Sequence, residues 1–401
     1  MNPPAAPPLT GIRVLDIASI IAAPVAATLL GDFGAEVIKV EEPRRGDFMR
    51  RSAKTPGGRS LAWVQDARNK KSITLDLRRP EGRDVLHRLL PKFDVVITNF
   101  RPPTLAAWGL DPTALTERYP RLIILSISGY GLTGPYRDRG AFDRIASAFA
   151  GLTYVSGEPE RPATRSGYAL IDYMTAYMGA FGVVTALYHR DRRRGTGQVI
   201  DLALFEPGFR ASEDALMAYS TRGTVRERTG NINPNIVPAA NFTTRDQRDI
   251  AIHAGTDALF ARLAGVLGQP DLPNDSRFTN HHARVANQDT LYAIIAAWAA
   301  QHSLEQAMLA LVAADVPAAP VMNIADIAAD PHYRARGTVL PVHDAEFGDL
   351  MVTGVLPKLS ASPGRIISLG PELGASNTEI YRDLLGMPAD ELNRLAADGV
   401  I

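Results

Sequence analysis

The stretch GIRVLDIASIIAAPVAATLLGDFGAEVIKVEEP, Gly11 to Pro43, decides the fold. GIRVLDIAS carries the near-continuous apolar run of a strand buried on both faces. IIAAPVAATLLGDFGA reads as a helix ended by Gly34, and EVIKVEEP as a second strand closed by Pro43. A strand, a crossover helix and a second strand make a βαβ unit, which implies a parallel sheet with helices on its faces. The pattern continues with KKSITLDL (Lys70 to Leu77) as a third strand, the helical EGRDVLHRLLPKF and DVVITNF (Asp94 to Phe100) as a fourth strand. A short helix over Pro112 to Tyr119 and the strand RLIILSISGYG follow. The strands end on polar or charged residues, Ser19, Glu41, Asn99 and Ser128, and open α/β sheets bind ligands at those ends.

Composition narrows the function. The 401 residues suggest two or three domains at roughly 100–200 residues each. Lys and Arg total 43 and so do Asp and Glu, which leaves no net field to draw nucleic acid or an anionic membrane. An anionic small molecule must then be held by locally placed arginines and lysines. There is no Cys, so thiolate nucleophiles and thiolate metal sites are excluded, and the eight His show no metal-ligand spacing. With neither a signal-like N-terminus nor an uninterrupted apolar run of about 18 residues, a cytoplasmic protein without membrane spans is expected. The turn after the first strand lacks the G-x-G-x-x-G spacing of a dinucleotide site, and no G-x-S-x-G elbow occurs.

The most unusual stretch runs from Arg165 to Phe209. A single carboxylate, Asp172, stands at the start of a small-residue helix reaching to about Arg190. An Asp at that position is most often an N-cap, and the competing reading is a covalent nucleophile toward an activated acyl group, since the surrounding Gly and Ala leave room for close approach. The basic run HRDRRRGTGQ beyond it reads as a complement to the helix dipole. From about Arg226 to Gln247 the pattern breaks into a polar, Pro- and Asn-rich segment taken as the crossing into a second domain. RDIAIHAG then reads as a strand, and Leu291 to Gln301 and Leu304 to Ala314 as a helix pair.

Taken together, several motifs resemble the class III coenzyme A transferases, a family that includes formyl-CoA transferase, carnitine CoA-transferase and alpha-methylacyl-CoA racemase. They are PLTGIRVLDIASIIAAP, GDFGAEVIKVEEPRRGD, NKKSITLDLRRPEGRD, DVVITNFRP, ISGYGLTGPYRDRGAFDRIASA, SGYALIDYMTAYMGAFGVVTALYHRDRRRGTGQVIDLAL and DVPAAPVMNIADIAADPHYRARG, in that order along nearly the whole chain. The resemblance implies a large Rossmann-like α/β domain with a parallel sheet, a smaller α+β domain, and two chains interlocked as a homodimer. It places the large domain over residues 1–225 and 321–401 and the small one, with its linkers, over 226–320. It implies Asp172 as the nucleophile that forms an aspartyl anhydride and then an aspartyl-CoA thioester. Coenzyme A thioesters are then substrates, with no permanent cofactor and no metal.

For CoA contacts the resemblance implies Ser19, Ile20, Ala22, Leu75, Arg78, Asn99 and Phe100, with Arg137 or Arg139 near the thioester or phosphates. Where formyl-CoA transferase carries an arginine this chain has Ala107, so one phosphate contact must be replaced or lost. The racemases carry AGHD where this chain has GAFD, with Phe142 at the histidine position, and a second-domain glutamate corresponds to about Thr256. Transfer is therefore expected over α-proton exchange. The segment TGNINPNIVPAANF resembles the succinyl-CoA-dependent dicarboxylate branch, acting on acids such as malate, citramalate, itaconate or hydroxymethylglutarate, more than the formyl-CoA/oxalate or carnitine branches. A dicarboxylate needs a fixed cation for its distal charge, and Arg44, Arg45, Arg165 and Arg228 are the candidates.

Overall fold

The computed structural model describes residues 6–52 and 58–401, so the first five residues of the Pro-rich lead lie outside it. The chain divides into two compact units. One comprises Met1–Thr153, Arg165–Thr224 and Arg334–Ile401, and the other Tyr154–Thr164 and Val225–Tyr333.

In the first unit the order along the chain is β1 Arg13–Asp16, α1 Ala22–Asp32, β2 Glu36–Glu41, α2 Leu61–Asp66, β3 Lys70–Thr74, α3 Pro80–Leu89, β4 Val95–Thr98, α4 Pro102–Ala107, α5 Pro112–Arg118, β5 Ile123–Ser128, α6 Asp143–Phe149, α7 Leu170–Arg192 and β6 Val199–Ala203. The six strands form one sheet in the order β3-β2-β1-β4-β5-β6, every neighbouring pair parallel. This is the Rossmann strand order, and it reverses direction between β1 and β4. The runs read from the sequence fall where expected because their apolar residues are covered on both faces. Leu15, Ile38, Ile73 and Ile97 are completely buried, each worth about 1.5–3 kcal/mol of transfer free energy.

The 23-residue α7 is long and apolar enough, by length and composition, to cross a membrane. Here it packs along α1 and over β5. Gly179 permits that approach, since a Cβ there would stand 3.0 Å from a methyl of Leu125. The opposite face of α7 presents Tyr177, Phe181, Val184 and Tyr188, an i, i+4, i+7, i+11 stripe, to the outside.

After the second unit the chain rejoins the first, adding an antiparallel hairpin of the strands Val339–Asp344 and Gly348–Thr353. The C-terminal segment then closes over the β3 edge. Tyr381 donates its hydroxyl to the Thr74 carbonyl at 2.6 Å, Asn377 accepts from the Thr74 amide at 2.9 Å, and Asp76 N–H donates to the Val400 carbonyl at 2.8 Å.

A buried ionic cluster joins β1, β2, β3 and the segment after β2. Lys39 stands 3.3 Å from Asp47 and 3.7 Å from Asp16, Lys70 is 2.9 Å from Asp16, and Arg50 is 2.7 Å from Glu41. Burial opposes charge on Lys39, but Asp16, Asp47 and Glu41 outweigh it and hold the ammonium above its usual range. Burial pulls Lys70 below its usual range despite Asp16. Burial also pushes the Glu41 carboxyl up, and Arg50, Lys39 and the Ser72 hydroxyl more than offset this, so it sits below the ordinary value.

The second unit is a smaller α+β body. Its sheet has the antiparallel order β7 (Ala239–Thr243), β8 (Asp249–His253), β9 (Ala318–Pro320). Helices Asp257–Val266, Gln288–Ala299 and Leu304–Ala313 pack on it around Phe260, Leu291 and Leu311. The polar segment before it ends in β7, a strand that its Asn and Pro content conceals.

Candidate active site

The crevice expected where the strand order reverses is present. The loop after β1 and the loop after β4 meet through one side chain. Asn99 Oδ1 accepts from Ser19 N–H at 2.9 Å and its Nδ2 donates to the Ser19 carbonyl at 2.7 Å. Asn99 thus clamps the two loops together while lining the cavity itself. The β1 loop turns sharply at Ile20, whose φ of 72° is a left-handed conformation costly for a β-branched residue. Both Asp47 carboxylate oxygens accept its N–H at 3.2 Å, and Asp47 also accepts from Met49 N–H at 2.9 Å. The conformation is fixed from outside the turn.

Two cavities open on these loops. One, of about 440 Å³, is lined by residues including Ser19, Ile20, Ala22, Asn99, Phe100, Arg101, Ser128, Phe142 and Asp172. The other, of about 310 Å³, is lined by residues including Ser19, Leu75, Arg78, Phe100 and Trp108. Ser19 and Phe100 belong to both walls. In the second cavity Leu75 is buried and its N–H donates to the Glu41 carbonyl at 2.7 Å. Arg78 is exposed and already engaged by Asp76 and Glu42, each at 2.8 Å at its nearest. A groove of about 630 Å³ in the second unit is larger but is lined by small and amide side chains such as Ala251, Asn231, Asn233 and Asn241, and holds no carboxylate.

Asp172 does not cap its helix. α7 begins two residues earlier at Leu170, its N-cap Ala169 supplies no side-chain bond, and Asp172 lies in the first turn. The cap comes from α6: Asp143 Oδ2 accepts Ile171 N–H at 2.9 Å and Asp172 N–H at 3.3 Å. The Asp172 side chain is left free to face the cavity, and no salt bridge engages it among the described residues. Burial, followed by the Asp143 charge, pushes its pKa up to about 7. Next to it, Tyr173 donates to Asp66 at 2.8 Å, and burial with that carboxylate raises the phenol's pKa.

A half-buried, unpaired carboxylate beside an open cavity at the switch point suits nucleophilic attack, and the profile of the family described as CoA-transferase family III matches residues 9–377. The chain belongs to CoA-transferase family III. Two relatives from Chloroflexus aurantiacus are each 43% identical to it and span 98% of both chains: succinyl-CoA–D-citramalate CoA-transferase over 395 residues and the succinyl-CoA–L-malate CoA-transferase beta subunit over 398. Among solved structures, a CAIB/BAIF family protein from Brucella suis is 33% identical, with a TM-score of 0.83, covering 95% of this chain and 100% of that one. The family resemblance carried by the sequence motifs therefore holds, as does the Rossmann-like fold with its smaller α+β body.

The arginines fall less neatly into this family's site. Arg44 and Arg45 are exposed beyond β2, and Arg165 donates to the Ser166 carbonyl at 2.6 Å; none of the three lines the Asp172 cavity. Arg228 belongs to the second unit, where it donates to the Tyr154 carbonyl at 2.7 Å. Arg137 pairs with Asp138 at 3.6 Å and Arg139 lies 3.8 Å over the Tyr136 ring, and neither lines the two cavities. The cation in the wall of the Asp172 cavity is Arg101, which the sequence reading passed over as part of a strand-ending RPP. Phe142 precedes α6 and lines the same cavity, and Thr256 caps the Asp257–Val266 helix by accepting from Leu259 N–H at 3.3 Å.

Proposed function

We propose that the protein moves CoA from succinyl-CoA to a dicarboxylic acid such as malate, citramalate, itaconate or hydroxymethylglutarate, with Asp172 as the covalent nucleophile. The observation that carries this reading is the free Asp172 carboxylate on a cavity that shares Ser19 and Phe100 with a second one, giving a nucleotide-bearing thioester a continuous wall to lie along. Asp172 adds to the thioester carbonyl, the C–S bond breaks, and CoA leaves as the thiolate, forming the mixed anhydride. The thiolate attacks the Asp172 carbonyl, releasing succinate and leaving the aspartyl-CoA thioester. The acceptor carboxylate then attacks that carbonyl, expelling the thiolate again, and the thiolate completes the new thioester while regenerating Asp172. No net proton or electron is exchanged.

The two relatives named above use succinyl-CoA with citramalate and with malate, which supports the dicarboxylate class. Within this reading Arg101, rather than Arg44, Arg45, Arg165 or Arg228, takes the distal carboxylate, because it alone of these five lines the Asp172 cavity. Phe142 in that wall has no group able to exchange a proton, which favours transfer over racemisation. The CoA contacts belong to Ser19, Ile20, Ala22, Leu75, Arg78, Asn99 and Phe100, with Asn99 acting mainly by holding Ser19. A second copy of the chain covers the Tyr177, Phe181, Val184 and Tyr188 stripe, giving the interlocked homodimer, and sedimentation of the protein at micromolar concentration tests this.

The deciding experiment incubates the protein with succinyl-CoA and maps adducts by mass spectrometry. A succinyl or CoA adduct on the Asp172 peptide is expected, together with loss of transfer in Asp172→Ala. An unmodified peptide and an active Asp172→Ala variant would refute the mechanism.

A further inference from the structure

Ser128 ends β5, is 5% exposed, and lines the same cavity as Asp172. Its carbonyl accepts Leu204 N–H at 2.8 Å as the sheet continues to β6. Its hydroxyl, by contrast, is buried and has no hydrogen-bond partner among the described residues. Leaving a buried hydroxyl unpaired is unfavourable, and such groups are rare enough in folded proteins to call for a reason. The residue itself lines a cavity that also holds a carboxylate nucleophile.

We propose that the Ser128 hydroxyl is a catalytic hydrogen-bond donor to the substrate carbonyl oxygen attacked by, or formed on, Asp172. As the Asp172 carboxylate adds to the thioester, the carbonyl π electrons move onto that oxygen and make an oxyanion. The Oγ–H donates to it without transferring its proton. When the electron pair re-forms the carbonyl, the C–S bond breaks and the thiolate departs. The donor meets a full negative charge only in the tetrahedral state, so the interaction strengthens where the barrier lies. This assignment rests on Asp172 being the nucleophile.

Ser126 provides an internal comparison. Two residues earlier on the same strand face, its hydroxyl is also buried and without a partner among the described residues, but it does not line the cavity. The experiment compares Ser128→Ala, Ser128→Thr and Ser126→Ala in single-turnover adduct formation with succinyl-CoA, steady-state transfer and urea unfolding. Ser128→Ala should lower the rate of adduct formation and kcat by about 10²-fold with KM nearly unchanged, as for loss of one oxyanion donor. Its urea midpoint should equal or exceed the wild-type value, because an unsatisfied buried group has been removed. Ser128→Thr, which keeps a hydroxyl, should recover part of the rate, and Ser126→Ala should keep the wild-type rate. A Ser128→Ala enzyme with wild-type kcat, or with a raised KM alone, or with a loss that Thr does not restore, overturns the proposal. If wild-type protein forms no adduct on Asp172, the transferase mechanism itself falls. If wild type and Ser128→Ala form it equally fast, only the role of Ser128 falls.

Discussion

Asp47→Asn is expected to destabilise the first unit far more than a near-isosteric change of one oxygen to nitrogen suggests. The buried cluster holds three acidic groups, Asp16, Asp47 and Glu41, against three basic ones, Lys39, Lys70 and Arg50. The Lys39 and Asp47 side chains are 1% and 2% exposed, so the charge removed cannot be replaced by solvent. The amide introduced by Asp47→Asn would retain an acceptor for the Ile20 and Met49 N–H groups but would leave the cluster one positive charge in excess. Breaking a buried pair from one side costs about 3–5 kcal/mol. Native-state hydrogen exchange on peptides covering β2 reads this locally: about 3 kcal/mol corresponds to roughly 10²-fold faster exchange of the most protected amides. The double variant Asp47→Asn with Lys39→Met removes both charges and should regain much of the loss, a positive coupling in the mutant cycle. An Asp47→Asn effect below about 1 kcal/mol, or simple additivity in the double variant, would refute the argument that charge balance organises this cluster.

Three further outcomes follow from the site. The folded-state pKa of Asp172, about 7, lies above the ordinary 3.8, so the native state binds the extra proton between those values and wild-type stability falls as pH rises through that window. Asp172→Asn lacks that slope, so in urea unfolding the variant should match wild type best near pH 4 and exceed it at pH 8. Asp143 from α6 acts on Asp172, Tyr173 follows it on α7 with Asp66 of α2 as its partner, and Arg101 lines the same cavity. Asp143→Asn keeps an acceptor for the Ile171 and Asp172 amides while removing the like charge, and should move the acidic limb of kcat/KM to lower pH by roughly one unit; an unmoved limb would show that burial alone raises Asp172. Asn99→Ala loses both bonds to Ser19 and should raise KM for succinyl-CoA several-fold with little change in kcat, measured by steady-state transfer.

Much of the first unit was legible because parallel strands buried on both faces leave uninterrupted apolar runs, and because helices between them repeat at a fixed spacing. The same reading puts Ser19, Glu41, Asn99 and Ser128 at strand ends; Ser19, Asn99 and Ser128 line the Asp172 cavity and Glu41 the neighbouring one. Of the two roles that position leaves open for Asp172, the N-cap is excluded only in the fold, because the cap is supplied by Asp143, 29 residues away in sequence. Arg101 was hidden by the prolines after it, which signal a strand end and draw attention from the guanidinium. The lysines of β2 and β3 could have been flagged: a charge such as Lys39 inside a run like EVIKVE requires a buried partner. Which carboxylates supply it depends on strand order, and no local pattern encodes that.

The β1 loop shows how these levels combine. A dinucleotide fold obtains its tight first turn from glycine, whereas this chain places Ile20 at φ 72° and no glycine within the turn. Such backbone strain, of order 1–3 kcal/mol, persists only where neighbours over-determine it. Here the neighbours are Asp47, which binds the Ile20 amide, Lys39, which donates to the Ala18 carbonyl and anchors Asp47, and Asn99, which brackets Ser19. The conformation that lines the Asp172 cavity is therefore imposed by the ionic cluster and the strand beside it. Loss of Asp47 should then appear twice, as faster exchange in β2 and as a weaker hold on acyl-CoA, and a variant that showed the first without the second would mean that Asn99 alone holds the loop.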